Sequence, residues 1–415
     1  MITSIKDYVD HLRIIDGHEH IIPAHDRRKK KGDFFSLLHY LRSDLLTAGM
    51  PSTFFSRVMD MEEKVDQFLT YWERTHNTAY AVTLKEAMRD LYGMRDWTKD
   101  SLMNVNEQVK QASSDPEWYS KVLKEKAKID MVFTLIFTTK VDRKLFRPVM
   151  FMDETYRLLR RTDVERTAYK AGRDVYTLSD YLQAVDEMME TYVREGMVAT
   201  KLGHAYWRTL QIDSPAFSEA EQTFNCIMSS HIGEPVSQRE SKPLQDFLIH
   251  HIIRRSKEAG VPIQIHTGHQ EPSVSNNGND VRNSRVTDLI PLLLSYPEAS
   301  FVLLHGGFPY WNEYLSIVKN FPNTYADMTW TYIISPTMAA ALLRQMIEMV
   351  PQAKIFAFGG DYDHVEGAYA HSKLARRVIS QVMSEQVSSG SMLEEEAYAC
   401  AERILRKNLE ELYKW

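Results

Sequence analysis

The chain has 415 residues, of which 44% are hydrophobic and 26% are charged, and its formal net charge is −6. This composition is typical of a folded globular protein and excludes a disordered or fibrous chain, and the length suits one α/β barrel that carries insertions. One basic run, Arg27 to Lys31, has no interleaved aromatic residues and no second basic cluster. We therefore interpret the run as a solvated surface loop and expect no nucleic-acid partner.

Cysteine content and hydropathy indicate the compartment. The two cysteines, Cys226 and Cys400, form neither a disulfide framework nor a CxxC metal motif. The first twenty residues carry charges where a signal peptide has its apolar region, and no apolar stretch reaches about 18 residues. We expect a cytoplasmic protein that acts on a small-molecule substrate and has no membrane partner. Association into a homo-oligomer is possible on the sequence alone.

Short apolar runs rich in β-branched residues alternate with amphipathic helical stretches along the whole chain. The pattern predicts eight strands: Arg13 to His20, Ile129 to Thr139, Phe146 to Met152, Met197 to His204, Val261 to His266, Ser300 to His305, Asn323 to Thr329 and Lys354 to Gly359. Helix-ending signals precede three of the later strands, at Gly260, Pro297 and Pro351. We predict an α/β protein with a (β/α)8 TIM-like barrel. A doubly wound open sheet is the competitor, but the first strand lacks its Gly-rich dinucleotide turn.

Two long intervals between strands predict insertions in a single domain that spans residues 1–415. About a hundred residues separate the first two strands, and helical apolar spacing within them predicts a large helical cap at about 34–118. A loop insertion at about 209–242 follows the fourth strand. Because loops after barrel strands lie at the catalytic face, we expect both insertions to cover the site.

The end of the first strand carries two histidines, His18 and His20. In a strand, residues two apart point to the same face, so both imidazoles can hold one metal ion. Neutral imidazole is a common ligand of zinc, iron and manganese. An HxH pair alone is weak evidence for a metal site, because the pattern also occurs in proteins that bind no metal.

Four further strands end in residues that bind metals or move protons: Lys201, His266, His305 and Asp361. Each one alone has a structural explanation, such as a hydrogen-bonded core histidine or an ordinary ion pair. Together with the HxH pair they fall at the carboxyl ends of five strands, where a barrel places its chemistry. The pattern therefore predicts a metal-dependent active site.

The order of these residues resembles the amidohydrolase superfamily, with HxH on strand one, Lys on strand four, His on strands five and six, and Asp on strand eight. The segments KLGHAYWR from Lys201, IHTG from Ile265 and LHGGFPY from Leu304 resemble its amidohydrolase-related group. That group includes the N-terminal domain of nodulin/glutamine synthetase-like fusion proteins, and uronate isomerases are more distant relatives. The resemblance extends over the whole chain.

The resemblance implies one or two divalent metal ions, with zinc expected first and manganese or iron as alternatives. His18, His20 and Asp361 would surround the first metal, while His266 and His305 would bind a second metal or contact the substrate. In binuclear members of the superfamily the strand-four lysine, here Lys201, is carboxylated and bridges the metals, whereas mononuclear members lack that bridge.

The implied reaction is hydrolysis, in which metal-activated water attacks an amide, ester or lactone carbonyl of a small polar substrate. Asp361 would serve as the general base and His305 would polarise the carbonyl. Arg208 and Arg147 would suit a substrate carboxylate, with ordinary surface pairing as an equal alternative for Arg147. His364 follows Asp361 closely and is a further candidate for substrate binding.

Three alternatives remain open at this point. Uronate isomerases share the barrel, the HxH opening, the strand-eight aspartate and a large insertion after strand one. Mononuclear relatives of the superfamily remove carboxylates with similar ligands, which allows a decarboxylase. A non-catalytic metal-binding barrel is the third alternative, but such a protein would be expected to have lost one of the strand-end residues. Lys201 favours hydrolysis.

Overall fold

The protein, described from a computed structural model that covers residues 4–231, 233–271 and 279–415, is built on eight parallel strands paired in chain order. The strands are β1 (Ile14–Glu19), β2 (Ile129–Leu135), β3 (Phe146–Phe151), β4 (Ala199–Leu202), β5 (Ile263–His266), β6 (Phe301–Leu304), β7 (Thr324–Asp327) and β8 (Ile355–Phe356). The first and last strands meet through backbone hydrogen bonds from Gly17 N to Phe358 O (3.1 Å) and from Asp361 N to His18 O (2.9 Å). The predicted (β/α)8 barrel is therefore confirmed.

Helices surround the barrel and fill the long insertions. The α-helices are α1 (Ile5–His11), α2 (Ala24–Lys30), α3 (Leu41–Thr47), α4 (Met61–Thr75), α5 (Ala79–Tyr92), α6 (Lys99–Ser114), α7 (Trp118–Ser120), α8 (Asp153–Tyr156), α9 (Arg161–Ala171), α10 (Leu178–Arg194), α11 (Phe217–Ser229), α12 (Gln238–Glu258), α13 (Ile290–Ser295), α14 (Trp311–Asn320), α15 (Thr331–Ile334), α16 (Pro336–Met349), α17 (Val365–Ser388), α18 (Glu394–Glu402) and α19 (Asn408–Tyr413). Within the ranges covered, no helix combines the length and apolar character needed to cross a bilayer.

Local sequence signals explain several of the helix boundaries. The helix α12 begins at a capping box formed by Ser237 and Glu240 and is followed by Gly260 in the left-handed conformation, with φ of +68°. The helix α16 ends directly before Val350 and Pro351. These stops place the starts of β5 and β8 where the sequence predicted them.

The inside of the barrel is apolar, and the C-terminal helix α19 closes the end at which the strands begin. Interior strand residues such as Phe133 and Phe356 pack with Leu409 and Tyr413 of α19. The Tyr413 hydroxyl accepts a hydrogen bond from Gln264 Nε2 at 2.9 Å. The chain terminus thus fills the amino-terminal end of the barrel and leaves the opposite end for the site.

The helical segment after β1 lies over the carboxyl ends of the strands. The Tyr40 hydroxyl donates to the Asp361 carbonyl at 2.6 Å, and Ser43 Oγ donates to Glu271 at 3.1 Å. The helix α5 packs along α17, which follows β8. These contacts place the start of the cap at the carboxyl-terminal mouth of the barrel.

The basic run is not the solvated loop that its composition suggested. It forms α2, and Arg27 is buried in a two-pronged ion pair with Glu366 of α17, with N–O distances of 2.7 and 2.9 Å. Tyr92 and Trp118 donate to the same carboxylate at 2.6 and 2.8 Å. The interpretation was wrong for Arg27 because its partner lies 339 positions away in the sequence.

The second insertion packs on the flank of the barrel. The segment 209–242 contains α11 and the start of α12, and α11 packs against α9, α10 and α12. None of its described residues lines the cavity at the barrel mouth. The expectation that this segment covers the site therefore does not fit its position.

Candidate metal centre

A cavity of about 250 Å³ opens at the carboxyl ends of the strands. The six strand-end residues predicted from the sequence all line it: His18, His20, Lys201, His266, His305 and Asp361. The remaining walls are mostly apolar and come from the ends of β2, β3 and β4: Leu135, Ile136, Phe137, Phe151, Gly203 and Tyr206. The barrel thus gathers residues that are up to 343 positions apart into one small chamber.

Three of these residues form a compact set of metal-ligand atoms. His18 Nε2 and His20 Nε2 lie 3.5 and 3.1 Å from Asp361 Oδ1. One ligand atom from each residue lies within 4.8 Å of the others. Ligands bound to one zinc ion at about 2.1 Å are roughly 3.4 Å apart, so the set needs little rearrangement to hold a divalent cation.

The hydrogen bonds around these residues also fit a metal. Gln264 Oε1 accepts from His18 Nδ1 at 2.8 Å, which leaves the Nε2 lone pair facing the cavity. Asp361 Oδ1 is buried and accepts no aligned hydrogen bond from the described residues. A buried carboxylate oxygen beside two imidazole nitrogens is satisfied by a cation. The neighbouring imidazoles hold the pKa of Asp361 well below its usual range, against the opposing effect of burial.

His266 and His305 lie on the other side of the cavity, with ring centroids 4.4 Å apart. His266 Nε2 donates to the His269 carbonyl at 2.8 Å, so its Nδ1 is free to accept or to bind a cation. Burial, together with the charge of Lys201, lowers the pKa of His266 to about 3. Burial and the nearby His266 ring lower the pKa of His305 well below its usual range. Both imidazoles are therefore neutral at physiological pH.

Lys201 is only 4% exposed, and its side-chain amine makes no hydrogen bond or ion pair with the residues that the structure covers. Burial lowers the pKa of this amine to about 8. A lysine is rarely buried without a partner, because desolvation of an ammonium ion is costly. The site therefore contains an amine that is partly neutral near physiological pH.

Backbone strain and close packing position the residues after β6 and β8. His305 and Asp361 have φ of +72° and +62°, a region that non-glycine residues rarely adopt. A Cβ at Gly360 would overlap with the Glu19 carboxyl group, and one at Gly359 would overlap with Thr329. The two glycines are thus needed for packing behind the ligands.

Buried carboxyl groups support the ligand-bearing backbone. Asp16 Oδ1 accepts from the backbone N of His18 and of Gly360 at 3.3 and 3.1 Å. Burial raises the pKa of Asp16 to about 7, and burial together with Asp16 raises the pKa of Glu19 well above its usual range. This pair therefore keeps a proton at neutral pH and ties β1 to the residues after β8.

The two arginines predicted to bind substrate lie away from the cavity. Arg208 is buried in an ion pair with Asp246 at 2.6 Å and donates to the Gln211 carbonyl at 3.1 Å. Arg147 lies at the amino-terminal end of β3, where it stacks on Trp415 at 5.0 Å. Neither guanidinium lines the cavity, so the predicted role in substrate binding does not fit either position.

His364 is buried beside the cavity but does not line it. Its Nδ1 lies 2.7 Å from Asp363 Oδ1, and Nδ1 of His39, in the cap, lies 3.7 Å from the same oxygen. The predicted contact of His364 with substrate is therefore not visible in the geometry.

Three residues at the site were missed by the sequence reasoning. Gln264 orients His18, Tyr206 lines the cavity, and Asp153 accepts a hydrogen bond from Gly203 N at 2.7 Å next to β4. The sequence positions of two of them, Gln264 and Asp153, could have indicated a place at the site. Gln264 is two positions before His266 and so shares its face of β5, and Asp153 follows the end of β3.

Comparison with known proteins agrees with this geometry. A family model described as amidohydrolase matches residues 183–415, more than half of the chain. The chain belongs to the amidohydrolase family. The matched region includes β4 to β8, and with them Lys201, His266, His305 and Asp361. The resemblance expected from the motifs is confirmed.

Individual proteins are similar to parts of this amidohydrolase. Protein fluG of Emericella nidulans is 30% identical over 183 residues, which cover 42% of the chain and 20% of that protein. A uronate isomerase of Caulobacter vibrioides is 23% identical over 242 residues, which cover 55% of the chain and 48% of that protein. The chain thus spans a fifth and about half of the length of these two relatives.

Solved structures share the fold over nearly the whole chain. A uronate isomerase from Thermotoga maritima superposes with a TM-score of 0.82 at 17% identity, covering 99% of this chain and 96% of its own. A putative metal-dependent hydrolase from Lactobacillus casei superposes with a TM-score of 0.67 at 16% identity, covering 100% and 98%. At these identities the likeness establishes the barrel with its insertion and leaves the reaction open.

Proposed function

We propose that this amidohydrolase is a metal-dependent hydrolase that cleaves an amide, ester or lactone bond of a small substrate. The observation that carries the proposal is the buried, unpaired amine of Lys201, which faces the same cavity as the ligand set of His18, His20 and Asp361. A partly neutral lysine amine can react with carbon dioxide, and the carboxylated side chain is a metal ligand in binuclear amidohydrolases.

The residues of the cavity divide naturally between metal binding and proton transfer. His18, His20 and Asp361 would hold a first divalent ion, and His266 with a carboxylated Lys201 would hold a second. The metal supplies a Lewis acid that acidifies water and polarises a carbonyl group.

Asp361 and His305 carry the proposed chemistry at the substrate. Water adds to the carbonyl carbon, and the bond from that carbon to the leaving nitrogen or oxygen breaks. Asp361 Oδ2 takes the proton from the attacking water and returns it to the leaving group. His305 is neutral and so carries a single N–H. Its Nδ1 lies 3.3 Å from the Thr329 carbonyl, and the ring would donate to the substrate's carbonyl oxygen from Nε2 in the tautomer that has its proton there.

The lining of the cavity favours a substrate that does not depend on a carboxylate. Among the described residues, Lys201 is the sole Lys or Arg side chain that lines it, and the sequence between Glu271 and Asn279 contains no Lys or Arg. A carboxylate is usually bound by the paired N–H groups of arginine. The expectation of a carboxylate-bearing substrate rested on Arg208 and Arg147, and neither side chain lines the cavity. The proposed substrate therefore does not include a carboxylate as a required group.

The proposal is tested by metal reconstitution and a panel of substrates. We would remove metal with a chelator, restore one or two equivalents of zinc, manganese or iron, and assay amides, esters and lactones beside uronates and aromatic carboxylates. We expect metal-dependent hydrolysis, and a loss of about 10²–10⁴-fold in kcat in Asp361→Asn at matched metal content. Incubation with 13C-bicarbonate should give a carbamate signal in the 13C NMR spectrum that Lys201→Met lacks.

Gln245→Leu is the matched control for folding, because Gln245 is fully buried in α12 away from the cavity. Isomerisation of uronates or decarboxylation without any hydrolysis would contradict the proposal. So would an Asp361→Asn variant whose rate stays within about threefold of the parent.

A further inference from the structure

A second set of ligand-type side chains lies beside the first, where the cap meets the barrel. His39 comes from the cap, and Asp363 and His364 come from the loop between β8 and α17. One ligand atom from each residue lies within 4.8 Å of the others. None of these three residues lines the cavity of the proposed hydrolytic site.

The distances leave His39 outside any hydrogen bond with this group but close enough to share a cation with it. His364 Nδ1 lies 2.7 Å from Asp363 Oδ1, which is a hydrogen bond, but His39 Nδ1 lies 3.7 Å from the same oxygen, which is too long for one. Ligands of tetrahedral zinc are about 3.4 Å apart. The His39 nitrogen is within about 0.3 Å of that spacing from the Asp363 oxygen, and the His364 nitrogen would have to move about 0.7 Å away from it.

His39 Nδ1 is buried and has no hydrogen-bond partner among the residues described. A buried ring nitrogen without a partner loses hydration energy unless another group satisfies it. The backbone of His39 is also held in an unusual conformation, with φ of +30°. A cation at Nδ1 would satisfy the atom and would offset the energy of that conformation.

The two imidazoles are preoriented by the same aromatic ring. His39 and His364 both pack edge-on against Tyr362, with ring centroids 5.3 and 5.1 Å away, and His39 also stacks on Tyr40 at 4.2 Å. Their own centroids are 6.1 Å apart. Two imidazoles on one tetrahedral metal have centroids about 5–6 Å apart, close to this separation.

We propose that His39, Asp363 and His364 bind a further divalent cation, separate from those of the hydrolytic site and of the zinc, manganese or iron class, that fastens the cap to the barrel. Two imidazoles and one carboxylate are a common ligand set for such ions, with water in the open positions. Because His39 belongs to the cap and the other two ligands follow β8, the ion would hold the cap against the mouth of the barrel.

Metal counting on the full chain tests the proposal without any substrate. Two proteins would be dialysed against zinc: the double variant His18→Ala/His20→Ala, and a triple variant that adds His39→Ala. The bound metal would then be counted by mass spectrometry. We expect the triple variant to bind about one equivalent less. Asp363→Asn in the double variant should give the same loss, and since its side chain is half-exposed, this variant should fold.

A matched control and a second readout separate the cation site from an ordinary ion pair. His251 pairs with Asp186 at 2.7 Å, and neither belongs to a set of three ligand atoms among the described residues, so His251→Ala should bind the same amount of metal. Zinc should also slow amide hydrogen exchange in residues 34–47 of the double variant but not of the triple variant.

Equal metal content in the double and triple variants would overturn the proposal, as would an equal loss in His251→Ala. These outcomes are independent of the proposed hydrolysis, because the first ligand set is already removed in both variants. Conversely, a protein that hydrolyses nothing could still show the loss of one equivalent on His39→Ala.

Discussion

Gln264→Leu is a sharp test of the first ligand set because it leaves every proposed ligand in place. Gln264 Oε1 accepts from His18 Nδ1 at 2.8 Å, and Gln264 Nε2 donates to the Gly17 carbonyl at 3.2 Å and to Tyr413 at 2.9 Å. Leucine has a similar volume but can accept no hydrogen bond. The His18 ring then loses both its fixed orientation and the partner of its Nδ1–H.

Loss of a hydrogen bond behind a metal-binding histidine typically weakens metal binding by about 10–100-fold. This corresponds to about 1.4–2.8 kcal/mol. We therefore expect the zinc Kd of Gln264→Leu, measured by competition with a chromophoric chelator, to rise within that range. Thermal unfolding of the metal-free protein would report the separate loss of stability from the unpaired Gly17 carbonyl.

Gln245→Leu is again the control, because Gln245 is equally buried and its side chain hydrogen-bonds, among the described residues, only to Gln238 and Ser241. Its zinc Kd should match that of the parent. If Gln264→Leu binds zinc as tightly as the parent, or if both variants weaken equally, His18 is not oriented for a metal in the way proposed.

Further predictions concern the cap, the buried lysine and the loop after β8. Arg27→Met should lower the free energy of unfolding in urea by about 3–5 kcal/mol, because Glu366 would be left buried and charged; a change under about 1 kcal/mol would contradict the ion pair's role. Lys201→Met should stabilise the metal-free protein at pH 7 by at most about 3 kcal/mol, since its folded pKa of about 8 is below that of an unfolded lysine. As the pH increases from about 8 towards 10.5, the stability of the parent should rise relative to that of Lys201→Met, which retains Lys354 with a pKa of about 8, and parallel curves in urea titrations would contradict this. Gly360→Ala should remove most bound metal, because its Cβ would displace the Glu19 carboxyl, and unchanged metal content would refute this.

Local patterns were sufficient for the barrel and for the six strand-end residues of its cavity. Strand periodicity, helix stops and the rule that chemistry lies at the carboxyl ends of barrel strands depend on neighbours in sequence. His18 and Lys201 could therefore be placed at one mouth without coordinates. The same rule, applied to the face shared by Gln264 and His266, would also have found the residue that orients His18.

The sequence by itself determined the fold, the order of the strands and the six strand-end residues of the cavity, because each of these follows from short-range periodicity. Only the tertiary structure decided which charges are paired and which face the cavity. Arg208 pairs with Asp246 and does not face the cavity, and Arg27 is buried in an ion pair with Glu366. Packing of the cap on the barrel places His39 close to Asp363. Such pairings join residues that are tens to hundreds of positions apart, and no local pattern encodes the partner of a charge, because electrostatic and packing energies depend on distance in space.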